Sequence, residues 1–388
     1  MLKSNGAVLS FGVAVALIAG VAMGSAGTNV MPVFIDDFAS RAGLSGAGAG
    51  LIGAAQLTAT AVVTLLLAGR AARTGRVRMA RVGLVLTAFG SVSVAVADDP
   101  VPLLLTNLLL GGGLGVVYAA ATAALAAVED SDRASAVAVS GTVAVAALMI
   151  IAVPVANEQW GGAGFLVLAA CCLPAWFLVN RLPEYPRVEN RGAVAVGARQ
   201  DRPGVVLLLG TAVLWAITQG TWAYASVLGR EHTGLPATTV SVVLAVSSVV
   251  ALVGAVAGTP AARRFGRLKS MGVFVIVEAV SMAVVVLSDE PVLFTAAAVV
   301  WQACQLAVLV QMVAAAAMLD PSGRWVASLS GASALGTGAG PLVVGLLLDN
   351  AGAEVLGAVF AVGMLVASLP LLRMTTATTS NLPHRQRG

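Results

Sequence analysis

Long apolar runs, interrupted at fairly regular intervals by short polar stretches, fill most of the chain. Twelve of them approach the roughly 20 residues that carry a helix across the hydrocarbon layer of a bilayer. They lie at approximately 8–31, 46–68, 77–97, 101–128, 134–156, 162–182, 204–228, 236–258, 270–288, 291–318, 326–348 and 354–372. Strands of a membrane barrel alternate in polarity and are about half as long. The predicted elements are therefore helices, which satisfy their own backbone in lipid. The first run follows Lys3 and ends in Ala22-Met23-Gly24-Ser25-Ala26, which resembles a cleavage site. It is longer than a signal-peptide core and has a counterpart in the second half, so it reads as an uncleaved first span.

The polar interruptions test the count. With the connections assigned alternately to two sides and the first residues inside, only Arg41 and Arg230 of the 22 Lys and Arg residues fall outside. The inside set runs from Lys3 through the Arg70–Arg81 cluster, Arg133, the linker arginines Arg181, Arg187, Arg191, Arg199 and Arg202, and the Arg263–Lys269 cluster. Arg324, Arg373, Arg385 and Arg387 complete it. Cytoplasmic loops are enriched in just this way, and a missed or extra span would scatter the arginines. The expectation is an even number of crossings with both termini cytoplasmic.

Composition adds constraints. Of 388 residues, 59% are apolar and 10% charged, more apolar surface than a soluble domain hides. The abundant Gly fits close helix packing in lipid. The net charge of +4 is accounted for by the arginine asymmetry, and no nucleic-acid module is present. Cys171, Cys172 and Cys304 sit in apolar runs with no CxxC spacing, and the histidines are His232 and His384. No metal site, disulfide framework or cofactor is expected. HExxH, a P-loop and a credible nucleophile elbow are all missing, which argues against an enzyme and against an ATP-driven pump.

The chain repeats at an offset close to 191 residues. Gly43-Leu44-Ser45 corresponds to Gly234-Leu235-Pro236, and the glycine of Arg73-Thr74-Gly75-Arg76 to that of Arg264-Phe265-Gly266-Arg267. Asp132-Arg133-Ala134 through Ser140-Gly141 is echoed by Gly323-Arg324 through Ser330-Gly331. Two six-helix halves related along the membrane normal place a binding site between them at mid-membrane. The expected organisation is a first half over 1–182, an arginine-rich cytoplasmic linker over 183–203, a second half over 204–374 and a disordered cytoplasmic tail over 375–388.

At this point the sequence resembles the major facilitator superfamily. That family carries G-x-L-x-D-R-x-G-R-R between its second and third helices. Here Ala68-Gly69-Arg70-Ala71-Ala72-Arg73-Thr74-Gly75-Arg76 keeps Arg-x-Gly-Arg but has Ala72 for the aspartate and Ala68 for the first glycine. The second copy, Thr259 to Arg267, is similarly reduced. The resemblance assigns a role in conformational change to Arg73, Gly75, Arg76, Arg264, Gly266 and Arg267. The fourth span has Asn107 where an arginine often precedes Gly111. Gly336-x3-Gly340-Pro341-x3-Gly345 in the eleventh is similar to a glycine-proline pattern that antiporter members carry in the fifth, and physically it reads as close packing with a bend.

Candidate chemistry lies in polar stripes. Ser25, Thr28 and Asn29 share a face of the first span. Asn107, Gly111, Gly115, Tyr118 and Thr122 share one in the fourth, and Thr211, Trp215, Thr218, Gln219, Trp222 and Ser226 one in the seventh. Trp301, Gln302 and Gln305 cluster in the tenth. Amides and indoles facing hydrocarbon are costly, so these faces turn toward protein or water. By the resemblance, these four helices border the central cavity. The expected substrate contacts are Thr28, Asn29, Gln56, Asn107, Tyr118, Trp215, Gln219, Trp222, Trp301, Gln302 and Gln305. Glu278, alone among charged residues well inside a predicted span, is the candidate proton carrier; its alternative is a neutral, hydrogen-bonded acid. Asp36 and Asp37 read as a solvated helix exit matched by Arg230-Glu231.

These expectations describe an all-α membrane protein of twelve helices in the plasma or inner membrane, acting as a monomer on a small organic solute with proton coupling. Drug or metabolite efflux is one such activity. The alternative is a receptor or scaffold that binds a ligand or protein partner without flux.

Overall fold

The computed structural model describes residues 7–184, 202–319 and 324–380. Lys3, most of the linker with Arg187, Arg191 and Arg199, and the tail from 381 with Arg385 and Arg387 lie outside the described residues. Helices follow in order: α1 (Phe11–Asn29), α2 (Met31–Arg41), α3 (Gly46–Ala71), α4 (Arg76–Ala95), α5 (Pro100–Leu125), α6 (Ser131–Asn157) and α7 (Ala163–Leu178). A short 3₁₀ turn, Val179–Arg181, leads to the linker. The second half holds α8 (Arg202–Thr233), α9 (Ala237–Phe265), α10 (Arg267–Leu287), α11 (Pro291–Leu319) and α12 (Arg324–Ser380).

Among the described residues eleven stretches are long and apolar enough to cross a membrane, and one of them, Ser328–Met374, spans 47 residues. Within α12 the backbone leaves helical geometry at Gly352 (φ 78°, ψ 174°), which divides it into two crossings, 324–351 and 353–380. The described residues therefore make twelve crossings, and α2 follows the first of them. Even parity puts the chain start and the end of α12 at the same end of the bundle, here the terminal end. The opposite end is the distal end.

Polar caps stop and start the helices between crossings. Ser10 Oγ accepts from Val13 N–H, Ser45 Oγ from Gly48 N–H and Asp130 Oδ1 from Arg133 N–H, each satisfying a free first-turn donor. The described glycines with positive φ fall into three pairs: Gly43 with Gly234, Gly75 with Gly266 and Gly162 with Gly352. Their separations are 191, 191 and 190 residues. The internal repeat is thus written into the backbone as well as the side chains, because only glycine enters these conformations cheaply.

Within each half, small residues let helices touch backbone to backbone. A Cβ at Gly111 would enter the Gln56 carbonyl of α3, and one at Gly254 the Ala303 carbonyl of α11. Gly336 and Gly340 press against Ala212, Ala216 and Gly220 of α8. The glycine-proline pattern is thus packing, and the non-helical break of α12 lies at Gly352 rather than at Pro341. Large apolar side chains such as Leu66, Val256 and Leu335 point outward, where lipid covers them. The halves meet through α2 with α8, α3 with α12, and α6 with α9.

Candidate substrate site between the halves

The site begins where α1 ends. Val30 (φ −100°, ψ 2°) interrupts the helix, and Pro32 in the first turn of α2 restarts it. The break frees the Asn29 carbonyl, which accepts the indole N–H of Trp222 from α8, in the other half, at 3.3 Å. Asn29 Nδ2 donates to Ser25 Oγ at 3.0 Å, and Ser25 Oγ donates back to the Val21 carbonyl at 2.7 Å. Trp222 meets Trp301 of α11 edge-on, with ring centroids 6.3 Å apart. Asn29, Trp222 and Trp301 are thus brought together from three helices.

Several buried polar atoms around this junction have no hydrogen-bond partner. They are both amide atoms of Gln56, the side-chain oxygens of Asn107 and Ser226, and the indole nitrogen of Trp301. Gln56 is fully buried between α1 and α5, facing Gly27 and Leu114. Asn107 spends its amide nitrogen on the Leu103 carbonyl at 2.8 Å, which leaves only its oxygen free. An unmet buried donor or acceptor costs about 1–3 kcal/mol.

The other predicted contacts spread out. Tyr118 is half-buried against Gly24 of α1, and Thr28, Gln219, Gln302 and Gln305 are also half-buried. Trp215 lies two turns from Trp222 toward the terminal end. There it lines a cavity of about 200 Å³ with Leu309, Met312, Val313, Ala316, Leu329, Ser330 and Ser333. Glu278 is fully buried in α10, whose neighbours are α8, α9, α11 and α12 of its own half. One of its carboxyl oxygens has no partner. Below it, Ser270 Oγ donates to Gln311 Oε1 at 2.9 Å.

The distal end corrects one sequence expectation. Asp36 and Asp37 are buried on α2 rather than solvated at a helix exit. Asp36 pairs with Arg230 of the other half at 3.2 Å. Asp37 pairs with Arg41 at 3.1 Å and accepts from Gly162 N–H at 3.2 Å, and Arg41 reaches Asp98 at 3.2 Å. Arg41 and Arg230, the two that break the charge asymmetry, are thus the two held by these aspartates. Burial raises both Asp36 and Asp37 above their ordinary value, with Arg230 and Arg41 pulling the other way. A second cross-half bond is stronger in form: Asp349 accepts the first-turn N–H groups of Gly46 and Ala47 on α3 at 2.9 and 2.8 Å. Tyr224 donates its hydroxyl to the Gly46 carbonyl.

At the terminal end, sequence reasoning missed Glu184. Its carboxylate accepts from the backbone N–H groups of Gly75, Arg76 and Val77 at 2.5, 3.1 and 2.8 Å. Burial pushes it up, but those three donors and the Arg76 charge outweigh that and hold it below its ordinary value. Arg76 is buried and donates to the carbonyls of Ala71, Ala72 and Pro183. The missing loop aspartate is therefore replaced, in space, by an acid from beyond α7. Arg73, Arg264 and Gly266 are exposed and Arg267 is half-buried.

The Major Facilitator Superfamily model matches residues 15–231, more than half of the chain. The protein belongs to that superfamily. Solved structures agree on the fold. The nucleoside transporter NupG superposes with a TM-score of 0.76 at 12% identity, covering 94% of this chain and 99% of that one. A peptide transporter POT mutant gives 0.76 at 13% identity, covering 95% and 97%. A bacterial homologue of the human lysosomal transporter Spinster, inward-facing and unoccupied, gives 0.69 at 15% identity, covering 95% of both chains. No curated protein matches the sequence. As a superfamily member, the chain is a multi-pass membrane protein with a transporter fold, and its polar junction lies where its two halves meet.

Proposed function

We propose that the protein is a secondary active transporter of a small organic solute, neutral or weakly charged, working by alternating access. The observation that carries this reading is the set of unpaired polar side chains on α3, α5, α8 and α11 beside a cross-half contact, Asn29 with Trp222. A ligand that supplies both donors and acceptors gains what the empty protein forgoes. The indoles of Trp222 and Trp301 add apolar area for a ring or alkyl body. The inter-half bonds at the distal end correspond to the state closed on that side. With the termini cytoplasmic, as the arginine asymmetry implies, this state opens toward the cytoplasm of the plasma or inner membrane.

Proton coupling is assigned to Glu278, a fully buried carboxyl group with an unpartnered oxygen. The linker near 183–203 joins the two moving halves, and a monomer suffices. Drug or metabolite efflux fits this scheme. The test starts from a comparison of metabolites in cells with and without the protein. The best hit is then followed in proteoliposomes at two external pH values. Accumulation against a gradient that Trp301→Ala and Gln56→Ala reduce at least tenfold supports the reading. Binding without flux identifies a receptor instead. Unchanged pH dependence in Glu278→Gln removes the proton assignment.

A further inference from the structure

On the lipid-facing side of the first half, near the terminal end, α4 and α7 run antiparallel. Arg81 lies five residues inside α4, about 8 Å from its start at 1.5 Å per residue. Its guanidinium stacks on the indole of Trp176, two residues before the end of α7, at 4.9 Å. Arg81 Nε is buried and has no hydrogen-bond partner. Among the described residues no carboxylate lies within ion-pair distance of Arg81. Arg78, one turn nearer the terminal end on the same helix, is exposed and likewise has no such partner. Above the pair, Val85, Phe89 and Leu173 project outward into hydrocarbon.

A guanidinium held at this depth without a counterion is costly, and the described residues offer none. The leaflet does, because lipid phosphates lie at the level where aromatic belts form. We propose that Arg78, Arg81 and Trp176 form a headgroup site for an anionic phospholipid of the leaflet on the side of the termini. The phosphodiester bridges the two guanidinium groups, and the acyl chains lie along Val85, Phe89 and Leu173. Two adjacent cations select against a zwitterionic headgroup, whose own ammonium would be brought next to them. The charge asymmetry of the chain accounts for arginines at this end. It does not account for one stacked on an indole with its Nε enclosed.

Native mass spectrometry of the full chain in detergent tests this, titrated with phosphatidylglycerol or phosphatidylcholine. Phosphatidylglycerol should be retained at least about five-fold better. Arg81→Gln and Arg78→Gln should each weaken its retention about five-fold, the scale of one basic residue at an anionic surface. Arg133→Gln, exposed at the same end on α6, should leave it unchanged. Should Arg81→Gln fold poorly, Arg78→Gln still decides, since its side chain is exposed. Equal retention of the two lipids overturns the site, as does an Arg133→Gln effect equal to that of Arg78→Gln. Displacement by millimolar inorganic phosphate also overturns it, since a small-anion site then explains the data.

Discussion

The repeat presents the same loop twice, and the two copies are held very differently. In the first, Arg76 is buried against three carbonyls and Glu184 clasps the first turn of α4. In the second, Gly266 starts α10 with open space around it and Arg264 lies over the neighbouring Phe265 ring at 5.4 Å. Among the described residues Arg267 there approaches Met318 Sδ, at 2.9 Å. The two glycines share positive φ yet part in ψ, 21° at Gly75 and 145° at Gly266. The difference teaches where the repeat stopped constraining the structure. Glu184 follows α7, whereas 191 positions on the sequence has Thr375, so the second copy has no acid to recruit there. One loop is fastened to the end of its own half and the other is left to its neighbours.

The largest expected effect follows from burial. Arg76→Ala leaves three carbonyls without their donor and should cost about 3 kcal/mol. Arg267→Ala should cost less than about 0.5 kcal/mol. Denaturation midpoints of the purified protein compare them, and equal losses would break the asymmetry. Glu184→Gln should cost about 2 kcal/mol by weakening charge-assisted bonds to three amides. Acid should do the same to the wild type. Because the folded-state value of Glu184 lies below its ordinary 4.5, the clasp contributes fully above about pH 4.5 and is lost as pH falls through the lowered value. A Glu184→Gln variant that loses stability on acidification as steeply as the wild type would remove the clasp as its origin.

The glycines sharpen the contrast on a smaller scale. Gly266→Ala should cost about 2 kcal/mol, since φ 83° with ψ 145° is close to a region reserved for glycine. Gly75→Ala, in the left-handed helical region, should cost about 1 kcal/mol. The reverse order would mean that the Arg70 guanidinium, which the new Cβ would approach to 3.1 Å, dominates at Gly75. The smallest effect concerns the distal end, where the sign is opposite to that of Glu184. Burial raises Asp36, so the closed distal end binds its proton more tightly than a solvated carboxylate does. This contribution to closure is therefore full below about pH 3.8 and is lost as pH rises through the raised value. Asp36→Asn should mimic the protonated form and flatten the pH dependence of spin-label distances across the distal end. A variant that still responded would point to Asp37 instead.

Much of this was legible in advance. The runs that predict twelve crossings became twelve crossings, although α9 extends to Phe265 and α8 to Thr233, past the expected ends. The helix continues there because the polar residues at its end still make helical hydrogen bonds outside the apolar layer. Asn29, Trp222 and Trp301, chosen from stripes on three spans, do meet. Asp36 and Asp37 were misread because a pair of acids after a span looks the same whether water or an arginine 194 residues away satisfies it. Glu184 carried no pattern at all beyond its place just after the sixth span.

The sequence by itself determined the helices, their number, their parity and the repeat, because hydropathy and glycine placement act through neighbours a few residues apart. Only the tertiary structure decided which polar groups are paired. Glu184 meets Gly75 across 109 residues, Trp222 meets Asn29 across 193, and Asp349 meets Gly46 across 303. Hydrogen bonds and ion pairs act through space over about 3 Å. Their partners are set by how the helices pack, and packing is what brings distant stretches of the chain into reach.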